Sequence, residues 1–454
     1  MTILAGVSRR LLVLDDDPTG SQCVAGVEVA FDTDPGIPST VLEKPGSTCF
    51  VLTNARALDE SRAVEMNRDI VSAVFSNVED TSGFHVVSRS DSTLRGHVIA
   101  EPNAIADALA AHDVEVDAFL FCPAMIEAGR FTKGDVHFAK VDGEVRKVED
   151  TDFAQDATFG YSHSNLAEFI EERSNGTVRA EDCISISLRD IRDGGVKKVK
   201  SVLGEATHRR WVIVNSTTYS DMDVVSQAAT ELEAQGKVFV SRCGPSFVRS
   251  LAGQRGARVL TADSLRIDAS RSPHGLVVVG SHVGLTSQQL GVLQAHGGHE
   301  EFELQVPKLL DSKTRDQHIA EISRRVKDQL SLTDCVLYTS RELIKTESKA
   351  ESLAIARQVS DAVVAVVQAV REARPAWIVA KGGITSHEVA ASGLGIRRAE
   401  VQGQFYEGQI SLFTATDAPE DVLGVPYVVF PGNVGGKGAL AEVVEKLRLA
   451  TDNA

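Results

Sequence analysis

The amino-acid sequence predicts an α/β protein with two doubly wound domains, mainly parallel sheets and an active-site cleft between the domains. Short runs that are apolar on both faces alternate with longer helical patterns, which is typical of buried parallel strands connected by helices. This alternation occurs twice, on either side of a polar segment over residues 252–273. A chain of 454 residues also has the length of two or three domains.

The first domain is predicted over residues 1–255. Its apolar runs are bounded mostly by polar or glycine-containing turns and predict strands over 11–14, 49–52, 85–87, 118–121, 184–187, 211–214 and 238–240. The patterns between them predict helices over 58–78, 98–111, 164–174, 223–235 and 245–251. Strands that alternate with helices indicate a doubly wound layer.

The second domain is predicted over residues 270–454. Its strands are expected over 275–280, 303–306, 335–339, 377–380 and 427–430. Its helices are expected over 286–295, 315–330, 349–373 and 438–449. Ligand sites are common between domains, which is why the cleft is expected there.

Composition excludes several classes of protein. A formal charge of -16 argues against a nucleic-acid-coating protein, because phosphate binding needs a basic surface. No apolar run reaches the roughly 18 residues that a bilayer span needs, and the first residues do not follow a signal-peptide pattern. None of the six cysteines forms a CxxC pair, so we expect most of them in the core. The prediction is a cytoplasmic protein without a nucleic-acid or membrane partner.

Three aspartates directly follow the first predicted strand, in the stretch LLVLDDDPTGS. Ligands of open α/β sheets bind at the carboxyl ends of the strands, where Asp15, Asp16 and Asp17 are expected. Adjacent carboxylates repel one another, so a cation, a donor-rich substrate or a raised pKa is needed to compensate. The simpler alternative is an acidic turn with a helix N-cap, but three aspartates after a buried strand favour a functional site.

The same stretch has a second interpretation. A strand followed by Asp15-x-Asp17-x-Thr19 resembles the nucleophile motif of haloacid-dehalogenase-like phosphatases, in which the first aspartate attacks phosphorus and the second acts as acid/base. That family also needs a downstream Asp-x-x-x-Asp motif after a strand, and the sequence shows no convincing candidate. A sugar phosphatase that uses Asp15 and Asp17 remains the alternative.

Polar side chains also follow other predicted strands of the first domain. The stretch SRSDSTLRGH over 88–97 suits a small polyhydroxy acid, because arginine binds carboxylates bidentately and aspartate accepts from hydroxyls. Arg56 occupies an equivalent place after another strand. In the stretch 122–137, Arg130, Lys133 and His137 could shape the pocket, although a lone histidine is more often structural.

The second domain carries glycine-rich turns instead of carboxylates. GSHVG over 280–284, KGGITS over 381–386 and PGNVGGKG over 431–438 each follow a predicted strand. Such turns present backbone N–H groups to phosphate, so three of them predict a nucleotide site. Neither a Walker A loop nor a Rossmann fingerprint is present.

In this order the motifs resemble the four-carbon acid sugar kinase family over nearly the whole chain. The matching stretches are DDPTG over 16–20, DSTLRG over 91–96, GS over 280–281, GGITS over 382–386 and PGNVG over 431–435. The DSTLRG version is closer to the D-threonate/D-erythronate kinase branch than to the 3-oxo-tetronate branch.

The resemblance implies an acid-sugar site in the N-terminal domain and an ATP site in the C-terminal domain. It implies substrate contacts from Asp16, Asp17, Arg56, Ser90, Asp91, Ser92, Thr93 and Arg95. It implies ATP contacts from Ser281, Gly382, Gly383, Ile384, Thr385 and Gly435.

The expected reaction is ATP-dependent phosphorylation of a terminal hydroxyl, O4, of a four-carbon acid sugar such as D-threonate or D-erythronate. The catalytic base is Asp17, Asp16 or Asp91, and the sequence does not choose among them. Arg56 and Arg95 are expected to hold the substrate. Mg²⁺ is expected with ATP, with unknown metal ligands.

Other partners and functions remain open at this stage. Lys381 and Lys437 are candidates for neutralising phosphate charge. A homodimer is a possible assembly. A sugar-acid sensor without turnover is a third hypothesis, besides the kinase and the phosphatase.

Overall fold

A computed structural model describes residues 9–17, 19–254, 256–341 and 349–453 of the chain. The chain divides into two compact units, Met1–Gly256 and Ala257–Ala454. The boundary falls within the polar segment 252–273. Among the described helices, none combines the length and the apolar character needed to cross a membrane.

The first unit contains a parallel sheet and a small antiparallel sheet. Its strands are β1 Arg10–Asp15, β2 Glu28–Ala30, β3 Thr48–Leu52, β4 Phe84–Arg89, β5 Ala118–Cys122, β6 Arg130–Lys133, β7 Val136–Val141, β8 Glu144–Lys147, β9 Ile184–Ile186, β10 Arg210–Val214 and β11 Phe239–Cys243. The parallel strands have the order β2-β3-β1-β4-β11-β5-β10-β9, and β6-β7-β8 form the antiparallel sheet.

Eight α-helices of the first unit lie in the described residues. They are α1 Gly36–Leu42, α2 Glu60–Asn77, α3 Ala100–Ala110, α4 Leu166–Arg173, α5 Leu188–Arg192, α6 Gly195–Gly204, α7 Tyr219–Glu233 and α8 Pro245–Leu251. Apolar residues of α2 and α3, among them Ile70, Val74, Ile105 and Leu109, belong to one buried cluster with the strands. This packing fixes the carboxyl ends of the strands, where the polar loops begin.

The second unit has a mixed sheet. Its strands are β12 Leu276–Val279, β13 His299–Leu304, β14 Asp334–Thr339, β15 Ile378–Lys381, β16 Arg398–Tyr406, β17 Gln409–Asp417 and β18 Pro426–Phe430. The order is β13-β14-β12-β15-β18-β17-β16, with β17 antiparallel to both of its neighbours. The helices are α9 Gly284–His296, α10 Val306–Leu310, α11 Arg315–Gln329, α12 Lys349–Val370, α13 Gly383–Glu388 and α14 Ala439–Asp452.

The predicted α/β class with mainly parallel sheets is confirmed, and several details differ. The strand predicted over 303–306 is β13, His299–Leu304, and α10 begins at Val306. The first residues of β13 are charged because it is an edge strand, so the doubly apolar pattern is missing there. The helix predicted over 223–235 begins earlier, at Tyr219, because Thr218 and Asp221 form a capping box.

Cysteine placement also follows the prediction. Cys23, Cys49, Cys122, Cys243 and Cys335 are buried. Burial raises the pKa of Cys122 to about 12, so this thiol stays protonated at neutral pH. These side chains behave as small apolar core residues.

Candidate functional site

The carboxyl ends of β1, β3 and β4 bring the predicted substrate residues of the first unit together. These strands are parallel neighbours, and Asp15 is in register with Leu52 of β3 and Arg89 of β4. The loops that follow the three strands therefore begin side by side. They carry Asp15 to Asp17, Arg56 and the segment 90–96.

Contacts within the protein surround the carboxyl group of Asp15. It is fully buried, and its Oδ1 accepts hydrogen bonds from Arg89 Nη1 at 2.7 Å and from the Asp17 backbone N–H at 3.0 Å. A Cβ on Gly20 would lie only 1.6 Å from Asp15 Oδ2, so glycine is required where the loop crosses this carboxyl group. Burial raises the pKa of Asp15 to about 6. The carboxyl group packs beneath the loop.

Asp16 differs from the aspartates on either side of it. Its side chain is buried, yet neither carboxylate oxygen has a hydrogen-bond partner among the described residues. The nearest cation is Arg89, whose Nη1 lies 3.9 Å from Asp16 Oδ1. Burial raises the pKa of Asp16 to about 7. Asp16 is thus a carboxyl group that can take up or release a proton near neutral pH.

Asp17 and Asp91 are held as carboxylates by arginines. Arg56 pairs with Asp17, and its Nη1 lies 3.7 Å from Asp91 Oδ1. Arg95 Nε donates to Asp91 Oδ2 at 2.8 Å, and the Thr93 hydroxyl donates to the same oxygen. Burial acts to raise the pKa of both aspartates, but Arg56 and the other nearby donors hold it below the ordinary value. Both are therefore charged at neutral pH.

The loop after β4 is fixed by contacts with the rest of the unit. The Ser90 backbone N–H donates to the Cys243 carbonyl at 2.8 Å, and the Tyr161 hydroxyl donates to the Thr93 carbonyl at 2.8 Å. Gly96 has a φ of +115°, which favours glycine. The loop is pre-organised, as a recognition loop on a rigid scaffold should be.

His137 also supports the loop after β4, and both of its ring nitrogens have hydrogen-bond partners. Its Nε2 lies 2.9 Å from the Ser92 carbonyl, to which it donates, and its Nδ1 lies 2.9 Å from the Thr132 hydroxyl. Burial lowers the pKa of His137 to about 4, so the ring is neutral. The structure gives His137 a role in positioning the loop through Ser92.

Two further arginines supply counter-charge, of which sequence reasoning placed Arg89 in the predicted substrate stretch but missed Arg242. Arg89 faces the carboxyl groups of β1, and Arg242 of β11 is fully buried and pairs with Glu101. A Cβ on Gly96 would lie 3.0 Å from Asp16 Oδ2 and 3.1 Å from Arg242 Nη2, so both side chains meet this glycine. An arginine inside an apolar strand was the available signal, because buried arginine is rare unless it is paired.

In the second unit, the three glycine-rich turns approach one another closely. A Cβ on Gly280 would lie 2.3 Å from Thr385 Oγ1, and one on Gly432 would lie 2.8 Å from Ser281 Oγ. Gly382, with a φ of +124°, would place a Cβ 3.0 Å from both Ser281 Cβ and Thr385 Oγ1. These glycines allow the backbones after β12, β15 and β18 to converge.

A cavity of about 410 Å³ lies beside these turns. It is lined by the predicted nucleotide residues Ser281, Gly382, Gly383, Ile384 and Thr385. Apolar side chains of α12, including Ile355, Val359 and Val363, also line it. A cavity with apolar walls and a few polar groups is typical of a small-molecule site.

Gly435 and Lys437 lie apart from this cavity lining. The Gly435 backbone N–H donates to Gln409 Oε1 at 3.1 Å. Gln289 Nε2 donates to the carbonyls of Val434 and Gly436, which fixes the turn from the other side. Lys437 is exposed. The nucleotide contact predicted for Gly435 stays a prediction.

Lys381 is buried beneath the turns and does not reach the cavity lining. Its Nζ donates to the Pro431 carbonyl at 2.6 Å and lies 3.9 Å from the centre of the Phe430 ring. Burial lowers the pKa of Lys381 to about 7. The side chain fastens one glycine-rich turn to β15.

Substituting Lys381 by methionine should therefore change how stability depends on pH. The folded pKa is about 7 against an ordinary 10.5, so between these values only the unfolded chain carries the proton. Stability of the wild type should rise with pH across this window, and the variant should lack that rise. We expect the difference in Tm to shift by about 3 °C or more between pH 7 and pH 10. A Lys437→Met control should show no such shift; an equal difference at both pH values would contradict the assignment.

The described residues do not form a protein cage for a metal ion. No group of three or more His, Cys, Asp or Glu side chains in this part of the chain could hold one. Glu388 lines the cavity. Mg²⁺ in phosphate-transferring enzymes often binds through one or two carboxylates and the substrate phosphates, so it stays an expectation that depends on ATP.

Two family models match the chain. A sugar-binding N-terminal domain matches residues 11–251, and a nucleotide-binding C-terminal domain matches residues 276–440. The chain belongs to this two-domain family. The aspartate–arginine network therefore lies in the sugar-binding domain, and the 410 Å³ cavity lies in the nucleotide-binding domain.

Solved structures share the fold of these two domains. A Salmonella typhimurium LT2 protein with a provisional name as a tRNA synthase has a TM-score of 0.70 at 16% identity, over 96% of this chain and 98% of that one. A Haemophilus influenzae protein of the DUF1537 family has a TM-score of 0.64 at 16% identity, over 98% and 99%. Identity at this level supports the fold alone. Among curated proteins, none matches this chain.

Proposed function

We propose that this protein is an ATP-dependent kinase that phosphorylates a terminal hydroxyl, O4, of a four-carbon acid sugar such as D-threonate or D-erythronate. The observation that carries the proposal is Asp16, a buried carboxyl group without hydrogen-bond partners among the described residues. It lies in a sugar-binding domain whose chain continues into a nucleotide-binding domain. The DSTLRG stretch supports the choice of substrate.

Asp16 is the proposed base among the three candidate aspartates. Asp17 and Asp91 are engaged by arginines, which lowers their proton affinity. Neither oxygen of Asp16 has a hydrogen-bond partner among the described residues, and its pKa of about 7 suits a base that works near neutral pH. It accepts the proton of the attacking hydroxyl as the hydroxyl oxygen bonds to the γ-phosphorus of ATP, the bond from that phosphorus to the bridging oxygen breaks, and ADP leaves.

The remaining residues of the network position the acid sugar. Asp91 and Asp17 are carboxylates that accept from substrate hydroxyls, and Arg56 and Arg95 fix their geometry. The hydroxyls of Ser90, Ser92 and Thr93 lie on the same pre-organised loop. Phosphoryl transfer depends mainly on such positioning and on charge stabilisation.

ATP is proposed to occupy the cavity beside the glycine-rich turns. The apolar wall from α12 suits a nucleobase, and Ser281, Gly383 and Thr385 lie at the turns, where the phosphates are expected. Ile384 is 72% exposed and lines the same cavity. The cavity and the family model both support a nucleotide here.

The phosphatase alternative has no support in the geometry of Asp15. Asp15 Oδ1 accepts hydrogen bonds from Arg89 and from the Asp17 backbone N–H, and Oδ2 lies against Gly20, so neither oxygen is available to attack phosphorus. Asp15 therefore serves the fold, and the kinase proposal expects Asp15→Asn to affect turnover less than Asp16→Asn.

A coupled ADP-release screen tests the proposal. The purified protein is mixed with ATP, Mg²⁺ and a series of acids that includes threonate, erythronate, 3-oxo-tetronate and longer aldonates. We expect acid-dependent ADP release, strongest with a four-carbon aldonate. Absence of ADP release with every C4 to C6 acid would contradict the kinase proposal. Binding of an acid without turnover would then favour a sensor.

A further inference from the structure

Four arginines at the carboxyl edge of the first sheet are already paired with carboxylates. The pairs are Arg56 with Asp17, Arg89 with Asp15, Arg95 with Asp91 and Arg242 with Glu101. A guanidinium that is neutralised in this way gains less from a second anion. The carboxylate of an incoming acid needs a cation that is still available.

Arg130 is such a cation. It begins β6, directly after the loop that follows β5, and no carboxylate lies within ion-pair distance of it among the described residues. Its Nη1 donates to Ser92 Oγ at 2.7 Å. Neither its Nε nor its Nη2 donates a hydrogen bond to any described residue. Donor positions of Arg130 therefore remain open beside the predicted substrate loop.

An aromatic ring also holds the orientation of the Arg130 guanidinium group. It lies over the Phe153 ring at 5.4 Å from the ring centre, and the Arg95 guanidinium lies over the same ring at 5.5 Å. The hydrogen bond to Ser92 and the aromatic contact hold the planar group in one place. A pre-oriented fork with free N–H groups matches a carboxylate bidentately.

The surroundings also favour an incoming anion. Burial lowers the pKa of Arg130, and the nearby guanidinium groups of Arg95 and Arg89 lower it further, although Asp91 opposes the change. The positive charge of Arg130 is thus held in a partly buried place without a counter-ion of its own. A bound carboxylate would relieve this cost.

We propose that Arg130 binds the carboxylate of the acid sugar and makes the site select acids over neutral analogues. The inference rests on the proposed kinase function and deepens it. Arg56 and Arg95 then act on the substrate hydroxyls together with Asp17 and Asp91, and Arg130 holds the opposite end of the molecule. This arrangement leaves the terminal hydroxyl for the base.

The test compares an acid with its neutral amide. The dissociation constants of D-threonate and D-threonamide are measured by calorimetry for the wild type, Arg130→Met and Arg130→Lys. We expect Arg130→Met to raise the dissociation constant of threonate by about 100-fold, because the charge partner of the carboxylate is lost. The dissociation constant of threonamide should stay within about 3-fold of the wild-type value. The dissociation constant of threonate for Arg130→Lys should lie between those of the wild type and Arg130→Met, because lysine keeps the charge without the planar guanidinium group.

Arg146→Met is the matched control. Arg146 lies on β8 of the same small sheet, is exposed and pairs with Glu144. It should leave both dissociation constants unchanged. Thermal melting of each variant reports whether it is folded.

Two results would overturn the inference. One is unchanged threonate binding in folded Arg130→Met, and the other is an equal loss for threonate and threonamide, which would indicate a packing role. Failure of the kinase proposal is distinguishable, because there the wild type releases no ADP with any acid, whatever Arg130 does to binding.

Discussion

The Asp16→Asn variant is expected to lose about 10³-fold in kcat, which is the usual range for removal of a general base. Asparagine fills the same space but cannot accept the proton of the attacking hydroxyl. The KM values for ATP and for the acid sugar should change little, because Asp17, Asp91 and the arginines are still present. Steady-state kinetics with the best acid from the ADP-release screen measure this directly.

The pH dependence of Asp16 gives a second readout of the same role. Burial raises its pKa to about 7, so the rate of the wild type should rise with pH through that value as the carboxylate forms. The folded state holds this proton more tightly than the unfolded chain, so the charged form destabilises the fold above pH 7. Asp16→Asn should therefore melt at an equal or higher temperature at pH 8, although its kcat is about 10³-fold lower.

Asp69→Asn provides a matched control for this variant. Asp69 is exposed on α2, so its substitution should change neither kcat nor the pH profile. The assignment of Asp16 would be wrong if Asp16→Asn kept more than about a tenth of the wild-type kcat, or if the rise in rate near pH 7 remained.

The Gly382→Ala variant is expected to lose most of its affinity for ATP. Its backbone has a φ of +124°, and an added Cβ would lie 3.0 Å from Ser281 Cβ and from Thr385 Oγ1. Strain of this kind costs about 2 kcal/mol, and the turn relieves it by leaving the binding conformation in the free protein. Restoring that conformation on binding corresponds to a roughly 30-fold rise in the KM for ATP. Binding of the acid sugar, measured by calorimetry, should not change, because the site proposed for it lies in the sugar-binding domain.

Gly291→Ala is the control for the second domain. Gly291 is inside α9, and an added Cβ would meet nothing within 4 Å. Alanine there should stabilise the helix by about 0.5–1 kcal/mol and leave ATP binding intact. An unchanged KM for ATP in folded Gly382→Ala would remove the glycine-rich turns from the proposed nucleotide site.

Much of the fold could be predicted because buried parallel strands have a strong local signal. The strand that ends at Asp15 and the one that ends at Arg89 each contain an apolar run and are buried on both faces, and both are present. Strand β2, strands β6 to β8 and the pair β16 and β17 were not predicted. Burial alternates in β7 and in much of β16, and β8 lies on the surface, so the doubly apolar pattern does not apply to them. Strand β2 has only three residues, and β17 mixes polar and apolar residues.

The composition of the candidate site was also predictable, but the roles within it were not. Asp16 and Asp17 are adjacent in sequence, yet Arg56 pairs with Asp17 and leaves Asp16 without a hydrogen bond among the described residues. Such a difference depends on pairing between distant segments. Lys381 shows the same limit, because only the packed turn reveals that its Nζ contacts the Pro431 carbonyl.

Analysis of the product tests the central claim most directly. The wild type is incubated with ATP, Mg²⁺ and D-threonate or D-erythronate, and the product is examined by phosphorus NMR with proton coupling. We predict one new phosphomonoester coupled to two methylene protons, formed in equal amount to ADP, which places the phosphoryl group on O4. Release of inorganic phosphate without a phosphorylated acid, or coupling to a single proton, would contradict the proposed transfer.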